Sequence, residues 1–211
     1  MNIFGYPKEH PNRKLGFDPG HPNIYKSRFH KFYWEDFYRG VEEAIPGNMP
    51  KPRGNLMSTH YFVDDNHCGN KVTRRSQNGV LLFCCMAPII VSSKRQNTFE
   101  TSTLGSEFTA LKNVVELVEA LRYKLHMFGV PIEDATNVFC DNWLVYRNVL
   151  IPESILKKKH NSISYHQCRK SVTAGTVRLT KDPTVSNLAG LFTKMLTRIV
   201  REKMLGWFNY L

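Results

Sequence analysis

The chain has 211 residues, and its 42% hydrophobic and 12% aromatic content is enough for a buried core and argues against a disordered chain. Its 29 Lys and Arg against 18 Asp and Glu give a net charge of +11, which favours a polyanionic partner, nucleic acid first, over a basic surface without one. No stretch approaches the ~20 apolar residues of a membrane-spanning helix, and the N-terminus lacks a signal-peptide pattern. We therefore predict an intracellular protein, cytoplasmic or nuclear, without a membrane partner.

The first 58 residues differ from the rest of the chain, because they are rich in aromatic residues, proline and glycine and show little periodicity. Pro46, Pro50 and Pro52 are typical of a linker. We interpret residues 1–58 as a connector that packs on a neighbouring domain. Residues 59–196 are predicted to form one domain, and residues 197–211 a C-terminal tail.

The predicted domain begins with three strands. Segments at His60–Val63, Val80–Met86 and Ile89–Ser93 predict an antiparallel meander. Apolar residues at three- and four-residue steps then predict a long helix from Thr103 to Met127. The remaining predicted elements are a strand, two helices, a strand and a last helix, at Val138–Cys140, Asn142–Val149, Pro152–Thr173, Thr176–Thr180 and Ser186–Met204. This order predicts an α/β fold with a mixed sheet covered by helices.

Three acidic residues stand where a carboxylate is costly. Asp64 closes the first predicted strand, and Asp141 closes the strand that ends at Cys140. Glu107 falls within about 40° of the apolar stripe of the long helix. That stripe is formed by Leu111, Val114, Val118, Leu121 and Leu125. Because a buried carboxylate needs a cation or a hydrogen-bonded partner, the three positions indicate a site.

Two strand-end aspartates and a helix glutamate that face the same sheet can converge on one point. Hard divalent cations that prefer oxygen ligands, Mg²⁺ or Mn²⁺, relieve the repulsion of clustered carboxylates. Two such ions ~3.5–4 Å apart can activate water and stabilise the leaving oxygen in phosphodiester hydrolysis. The alternative is structural, since strand-ending Asp residues cap turns and a first-turn Glu favours the helix N-terminus. The three positions together with the basic charge favour the metal site.

Two basic segments are candidates for contact with a phosphate backbone. The first is Lys94 with Arg95, after the third predicted strand. The second lies between Ser154 and Lys181, where the chain has no acidic residue. Its candidate contact residues are Lys157, Lys158, Lys159, His160 and Arg169. A solvated helix face is the alternative explanation for each segment.

Residues 60–196 carry a series of ordered motifs that resembles the RNase H region at the C-terminal end of Pol polyproteins from copia-type LTR retrotransposons. The matching segments are Phe62–Gly69, Thr73–Ser76 with Gly79, Ser92–Gln96, Thr101–Phe108, Phe139–Asn142, Lys158–His160 with Tyr165–His166, and Asn187–Lys194. The first 58 residues are similar to the connector that follows the reverse transcriptase thumb in the same polyproteins.

The resemblance implies an RNase H-like fold, in which three antiparallel strands and two parallel additions form a five-stranded mixed sheet flanked by helices. It implies cleavage of the RNA strand of an RNA–DNA hybrid with two Mg²⁺ or Mn²⁺ ions and no small-molecule cofactor. It also implies a partner, the reverse transcriptase domain of the same polyprotein. By motif, Asp64, Glu107 and Asp141 fall on the family's first three catalytic, metal-binding carboxylates.

One position departs from the family pattern. The terminal helix of the family normally carries an Asp in Leu-Ala-Asp-x-x-Thr-Lys, and this chain has Gly190 there. Loss of a fourth carboxylate should weaken the second metal ion and slow cleavage. Two alternatives to an active RNase H therefore stay open. One is an impaired retroelement remnant that only binds nucleic acid, and the other is a nuclease of the same fold, such as an integrase-like core, that acts on DNA.

Overall fold

The computed structural model describes residue 12 and residues 14–34, 36–157, 159–206 and 209–210. Its centre is a five-stranded sheet with the order β3-β2-β1-β4-β5. The strands are β1 Thr59–Asn66, β2 Gln77–Cys84, β3 Ala87–Arg95, β4 Thr136–Cys140 and β5 Val177–Lys181. Strands β1 to β3 pair antiparallel, and β4 and β5 are added in parallel. The predicted fold class, a mixed sheet with three antiparallel and two parallel strands, is confirmed.

Among the residues described, four α-helices lie against this sheet, and each face of the sheet has its own core. The helices are α1 Thr103–Met127, α2 Trp143–Leu150, α3 Ser162–Thr173 and α4 Arg198–Leu205. Alternate residues of β1 point to opposite faces, so Tyr61 and Val63 pack with α1 while Phe62 packs on the other side. The smaller core includes Leu81, Phe83 and Met204. A short strand pair, Lys14–Leu15 with Asn209–Tyr210, lies outside the main sheet.

Helix α1 has the bounds that its sequence predicts. The Ser102 hydroxyl accepts a hydrogen bond from the backbone N–H of Gly105, which caps the N-terminus. The chain leaves the helix through Gly129, whose φ of 65° favours glycine. Glu107 is buried on the apolar stripe and Glu116 is exposed, as the helical wheel predicts.

The predicted helix Pro152–Thr173 is wrong in nearly its first half, because α3 begins only at Ser162. A 3₁₀ turn at Lys159–Asn161 precedes α3, and residues 152–157 are irregular. The buried guanidinium of Arg169 donates hydrogen bonds to the carbonyls of Ile151 and Pro152, at 2.9 and 2.5 Å. This long-range contact satisfies those carbonyls without a helix, which the local pattern could not show.

The predicted helix Ser186–Met204 is also wrong, because the structure divides it in two. A 3₁₀ helix covers Leu188–Phe192, and α4 begins only at Arg198. Between them, the side chain of Thr193 donates a hydrogen bond to Asp64 on β1. Contact with the sheet therefore replaces helical continuation at this point.

The segment before β1 contacts the domain at several points. Arg28 Nη2 lies 2.7 Å from Asp182 Oδ1, and Glu43 binds Arg122 of α1 through two hydrogen bonds of 2.6 and 2.7 Å. Further along, the backbone N–H of Met57 donates to the Pro131 carbonyl. The boundary at residue 58, and the role of residues 1–58 as a connector to another domain, stay predictions. In the part of the chain that the structure describes, none of the helices has the length and hydrophobicity of a membrane span.

Candidate metal centre

The sheet brings the three predicted carboxylates together. Strands β1 and β4 are parallel neighbours, so Asp64 near the end of β1 and Asp141 just after β4 lie at one edge. Glu107, in the second turn of α1, reaches the same edge from the helix side. One carboxylate oxygen from each residue lies within 4.8 Å of the other two. The predicted convergence is present, and the catalytic and metal-binding roles of these residues stay a prediction.

This group of oxygens fits a hard divalent cation. Oxygens on one octahedral Mg²⁺ lie at about 2.0–2.1 Å from the ion and so about 3–4 Å from one another. Small side-chain rotations would bring oxygens that are within 4.8 Å into that range. Burial, followed by the charges of Asp141, Asp65 and Asp64, raises the pKa of Glu107 to about 9. A divalent cation would oppose this rise, because it favours the ionised carboxylates.

Lys194 and Thr193 also belong to this centre. Lys194 Nζ lies 2.6 Å from Asp64 Oδ1 and 3.2 Å from Asp141 Oδ2. Thr193 donates a hydrogen bond to the second oxygen of Asp64, and Thr184 Oγ1 donates to Asp141 Oδ2 at 3.0 Å. Burial lowers the pKa of Lys194, but the two aspartates outweigh burial and hold that pKa above its usual value. Sequence reasoning used Thr193 and Lys194 only as part of a motif and missed their contact with Asp64.

A buried polar network supports the centre from the α1 side. The amide nitrogen of Gln96 lies 3.1 Å from Asp65 Oδ1, 2.6 Å from Asn78 Oδ1 and 2.8 Å from the Ser106 carbonyl. Burial is the main cause that raises the pKa of Asp65 to about 6. Because Ser106 precedes Glu107, the network fixes the first turns of α1 against β1 and β2. Sequence reasoning missed this role of Asp65 and Gln96, although the adjacent acids at 64 and 65 were a signal.

Gly79 has a steric reason to be glycine. It pairs with Asp64 across β1 and β2, and it faces the 3₁₀ helix at Leu188–Phe192. A Cβ at this position would lie 2.6 Å from the Ala189 carbonyl oxygen and 2.7 Å from Thr193 Cγ2. Glycine therefore lets the Ala189 backbone and the Thr193 side chain approach β2 closely, which places Thr193 beside Asp64.

We expect Gly79→Ala to lower the free energy of unfolding by about 1–3 kcal/mol, because the added methyl group forces the Ala189 backbone and the Thr193 side chain away. Urea denaturation monitored by circular dichroism measures this change. Gly47→Ala is the matched control, since a Cβ there meets nothing within 4 Å. An equal effect of the two substitutions would contradict the steric role of Gly79.

The exposed basic candidates lie at the same edge of the sheet. Ser93 on β3 pairs with Gly79 on β2, and Gly79 pairs with Asp64 on β1, so Ser93 lies about 10 Å from Asp64. Lys94 and Arg95 directly follow Ser93. In the second segment, Asn161 lies against Gly105 at the N-terminus of α1. Of the candidate contact residues in that segment, Lys157, Lys159 and His160 are exposed. Lys158 is outside the described residues.

The prediction that Arg169 contacts nucleic acid is wrong, because its side chain is only 2% exposed. Besides the Ile151 and Pro152 carbonyls, its guanidinium donates to the Asn148 carbonyl at 2.8 Å. Its charge lies between the rings of Trp34 and Tyr165, at 4.6 and 4.7 Å from their centroids. Arg169 thus ties the N-terminal segment and the loop after α2 to α3, and it has no surface for a phosphate backbone.

Gly190 lies in the 3₁₀ helix at Leu188–Phe192, one turn before Lys194, whose N–H donates to the Gly190 carbonyl at 3.1 Å. A Cβ at Gly190 would meet nothing within 4 Å. The backbone therefore leaves room for a side chain at the degenerate fourth-acid position. Asp182, which follows β5, is paired with Arg28.

Two curated relatives show what the chain is similar to. It is 28% identical over 146 residues to the retrovirus-related Pol polyprotein from transposon RE1 of Arabidopsis thaliana. It is 26% identical over 147 residues to the corresponding polyprotein from transposon RE2 of the same plant. These regions are 69% and 70% of this chain, whereas the chain spans about a tenth (10%) of each relative. The predicted resemblance to retrotransposon Pol polyproteins is confirmed, although no family model matches the chain.

Two of the solved structures with a similar backbone are ribonucleases H. RNase H1 from Halobacterium salinarum NRC-1 has a TM-score of 0.45 and 16% identity, over 60% of this chain and 86% of that chain. LC11-RNase H1 in complex with an RNA/DNA hybrid has a TM-score of 0.48 and 15% identity, over 62% of this chain and 88% of that chain. The strand order described above defines the fold of this chain.

Proposed function

We propose that this chain is the RNase H domain of a copia-type retrotransposon Pol polyprotein and hydrolyses the RNA strand of RNA–DNA hybrids with Mg²⁺ or Mn²⁺. The observation that carries the proposal is the group of oxygens from Asp64, Glu107 and Asp141 within 4.8 Å. The likeness to Pol polyproteins supports it independently. The reverse transcriptase domain of the same polyprotein is the proposed partner, with residues 1–58 as the connector.

Asp64, Glu107 and Asp141 would hold the metal ions. Bound divalent ions supply Lewis-acid activation of water and stabilise the leaving oxygen of the phosphodiester. The protein contributes fixed orientation, since Thr193 holds the Asp64 carboxylate and Thr184 holds Asp141. Burial of Glu107 strengthens the electrostatic attraction between the carboxylates and a cation.

The exposed basic residues around this edge would hold the nucleic acid. Lys94 and Arg95 lie on the β3 side of the centre, and Lys157, Lys159 and His160 lie near the start of α1. Their charges are placed to contact backbone phosphates without reading sequence. This arrangement is consistent with an enzyme that recognises the form of a duplex.

A cleavage assay with three labelled substrates tests the proposed function. We expect divalent-ion-dependent loss of the RNA strand of a hybrid, with DNA duplex and single-stranded RNA left intact. Preferred cleavage of duplex DNA would contradict the RNase H proposal and favour the DNA nuclease. Tight hybrid binding without cleavage in either Mg²⁺ or Mn²⁺ would favour the remnant that only binds nucleic acid.

The binding-only remnant is the second candidate, and Gly190 is the observation that favours it. If the missing acid is the main defect, Gly190→Asp should raise the hybrid cleavage rate by about 10–100-fold, since supporting metal-site groups have effects of that size. The open space at Gly190 allows the substitution. Gly190→Asn is the matched control without a charge. Equal rates for the two variants would exclude a charge defect at this position.

A further inference from the structure

Lys194 places a fixed positive charge between two of the three carboxylates. Its Nζ bridges Asp64 Oδ1 and Asp141 Oδ2, at 2.6 and 3.2 Å. These are the carboxylates of two neighbouring parallel strands, so the ammonium lies where a cation shared by both aspartates would bind. Its side chain is 31% exposed, which leaves it partly shielded from water.

The backbone around Lys194 is anchored to the sheet on both sides of the centre. Ser93 Oγ on β3 donates to the Phe192 carbonyl at 2.6 Å. Asn66 Nδ2 on β1 donates to the Thr193 carbonyl at 2.8 Å, and the Thr193 hydroxyl binds Asp64. Three hydrogen bonds from two strands therefore fix the residues immediately before Lys194. The side chain of Lys194 therefore extends from a fixed backbone, unlike that of a mobile surface lysine.

One divalent ion balances the summed charges of the three candidate ligands and Lys194. When ionised, Asp64, Glu107 and Asp141 carry three negative charges, and Lys194 neutralises one of them. Gly190 adds no charge where the related motif has an acid. Two divalent ions would leave the described centre with a net positive charge even when the neighbouring Asp65 is counted, which is unfavourable for a buried site.

We propose that the Lys194 ammonium takes the place of one of the two metal ions, so that this centre binds a single divalent cation. The inference rests on the proposed function, because it concerns the same carboxylates. It assigns Lys194 as a positioning residue that holds Asp64 and Asp141 and limits the number of ions bound.

Manganese binding measured by electron paramagnetic resonance and by calorimetry, at one fixed pH and without nucleic acid, tests this proposal. We expect one ion per chain for the unmodified protein and two for Lys194→Met. The first ion should also bind about tenfold more tightly to Lys194→Met, since a nearby positive charge is removed. Lys194→Arg, which keeps the charge, should still bind one ion.

Two ions bound by the unmodified protein, or one ion bound with unchanged affinity by Lys194→Met, would overturn the proposal. Either result would leave the proposed metal-dependent function standing. Failure of all variants to bind any ion would overturn the metal centre itself, and this inference with it. If Lys194→Met does not fold, Lys194→Gln provides the same loss of charge with a polar side chain.

Discussion

Asp64→Asn is expected to lower the rate of hybrid cleavage by about 10³-fold, because metal-ion stabilisation contributes several kcal/mol to such reactions. One oxygen of Asp64 lies within 4.8 Å of oxygens from Glu107 and Asp141, its carboxylate also contacts Lys194 and Thr193, and its side chain is fully buried. The amide of Asn has nearly the same shape but no charge for a cation. Rates are to be measured on a labelled hybrid at saturating Mg²⁺ and Mn²⁺.

Asp36→Asn is the control for this experiment, because Asp36 is exposed and lies outside the centre. It should leave the rate unchanged. Circular dichroism and the melting temperature of both variants separate loss of chemistry from loss of fold. A folded Asp64→Asn variant that cleaves as fast as the unmodified chain would rule out the proposed role of Asp64.

The second large effect is on stability in the absence of metal ions. With EDTA, the free energy of unfolding is expected to fall by about 2 kcal/mol between pH 6.5 and pH 9. Burial and the neighbouring Asp141, Asp65 and Asp64 raise the pKa of Glu107 to about 9, from an ordinary value of 4.5. In this window the folded state holds a proton that the unfolded state has lost, so stability decreases as pH rises.

The window begins at pH 6.5 because His60 has the opposite effect on the free energy of unfolding below that pH. Burial lowers the pKa of His60 to about 4, from an ordinary value of 6.5, so its contribution to stability increases with pH only below about 6.5. Glu107→Gln should flatten the decline above that pH, whereas Glu116→Gln on the exposed face of α1 should preserve it. Added Mg²⁺ should restore more stability at high pH than at low pH. A decline that Glu107→Gln leaves unchanged would contradict the assignment.

Local patterns predicted the elements whose formation depends on nearby residues. The bounds of α1 follow from apolar spacing, the Ser102 cap and Gly129, and the same spacing placed Glu107 on the buried face. The strand that ends at Cys140 likewise follows from a buried apolar run, which the structure extends back to Thr136. These features depend on contacts within a few residues, so their physical causes are visible in the sequence.

The features that sequence reasoning missed depend on contacts between distant residues. Lys194 reaches Asp64 across 130 positions, and Thr193 reaches it across 129. Arg169 resembled a surface cation because its polar partners are backbone carbonyls, which no side-chain pattern indicates. The prediction of a continuous last helix over Ser186–Met204 was wrong for the same reason. Contact between Thr193 and β1 interrupts a segment whose local pattern is helical.

Diffraction from crystals soaked in Mn²⁺, recorded at the manganese absorption edge, tests the metal centre most directly. The three carboxylates predict an anomalous peak within bonding distance of oxygens from Asp64, Glu107 and Asp141. A fully exchanged crystal with no peak among these residues would contradict the metal centre on which the proposed chemistry depends.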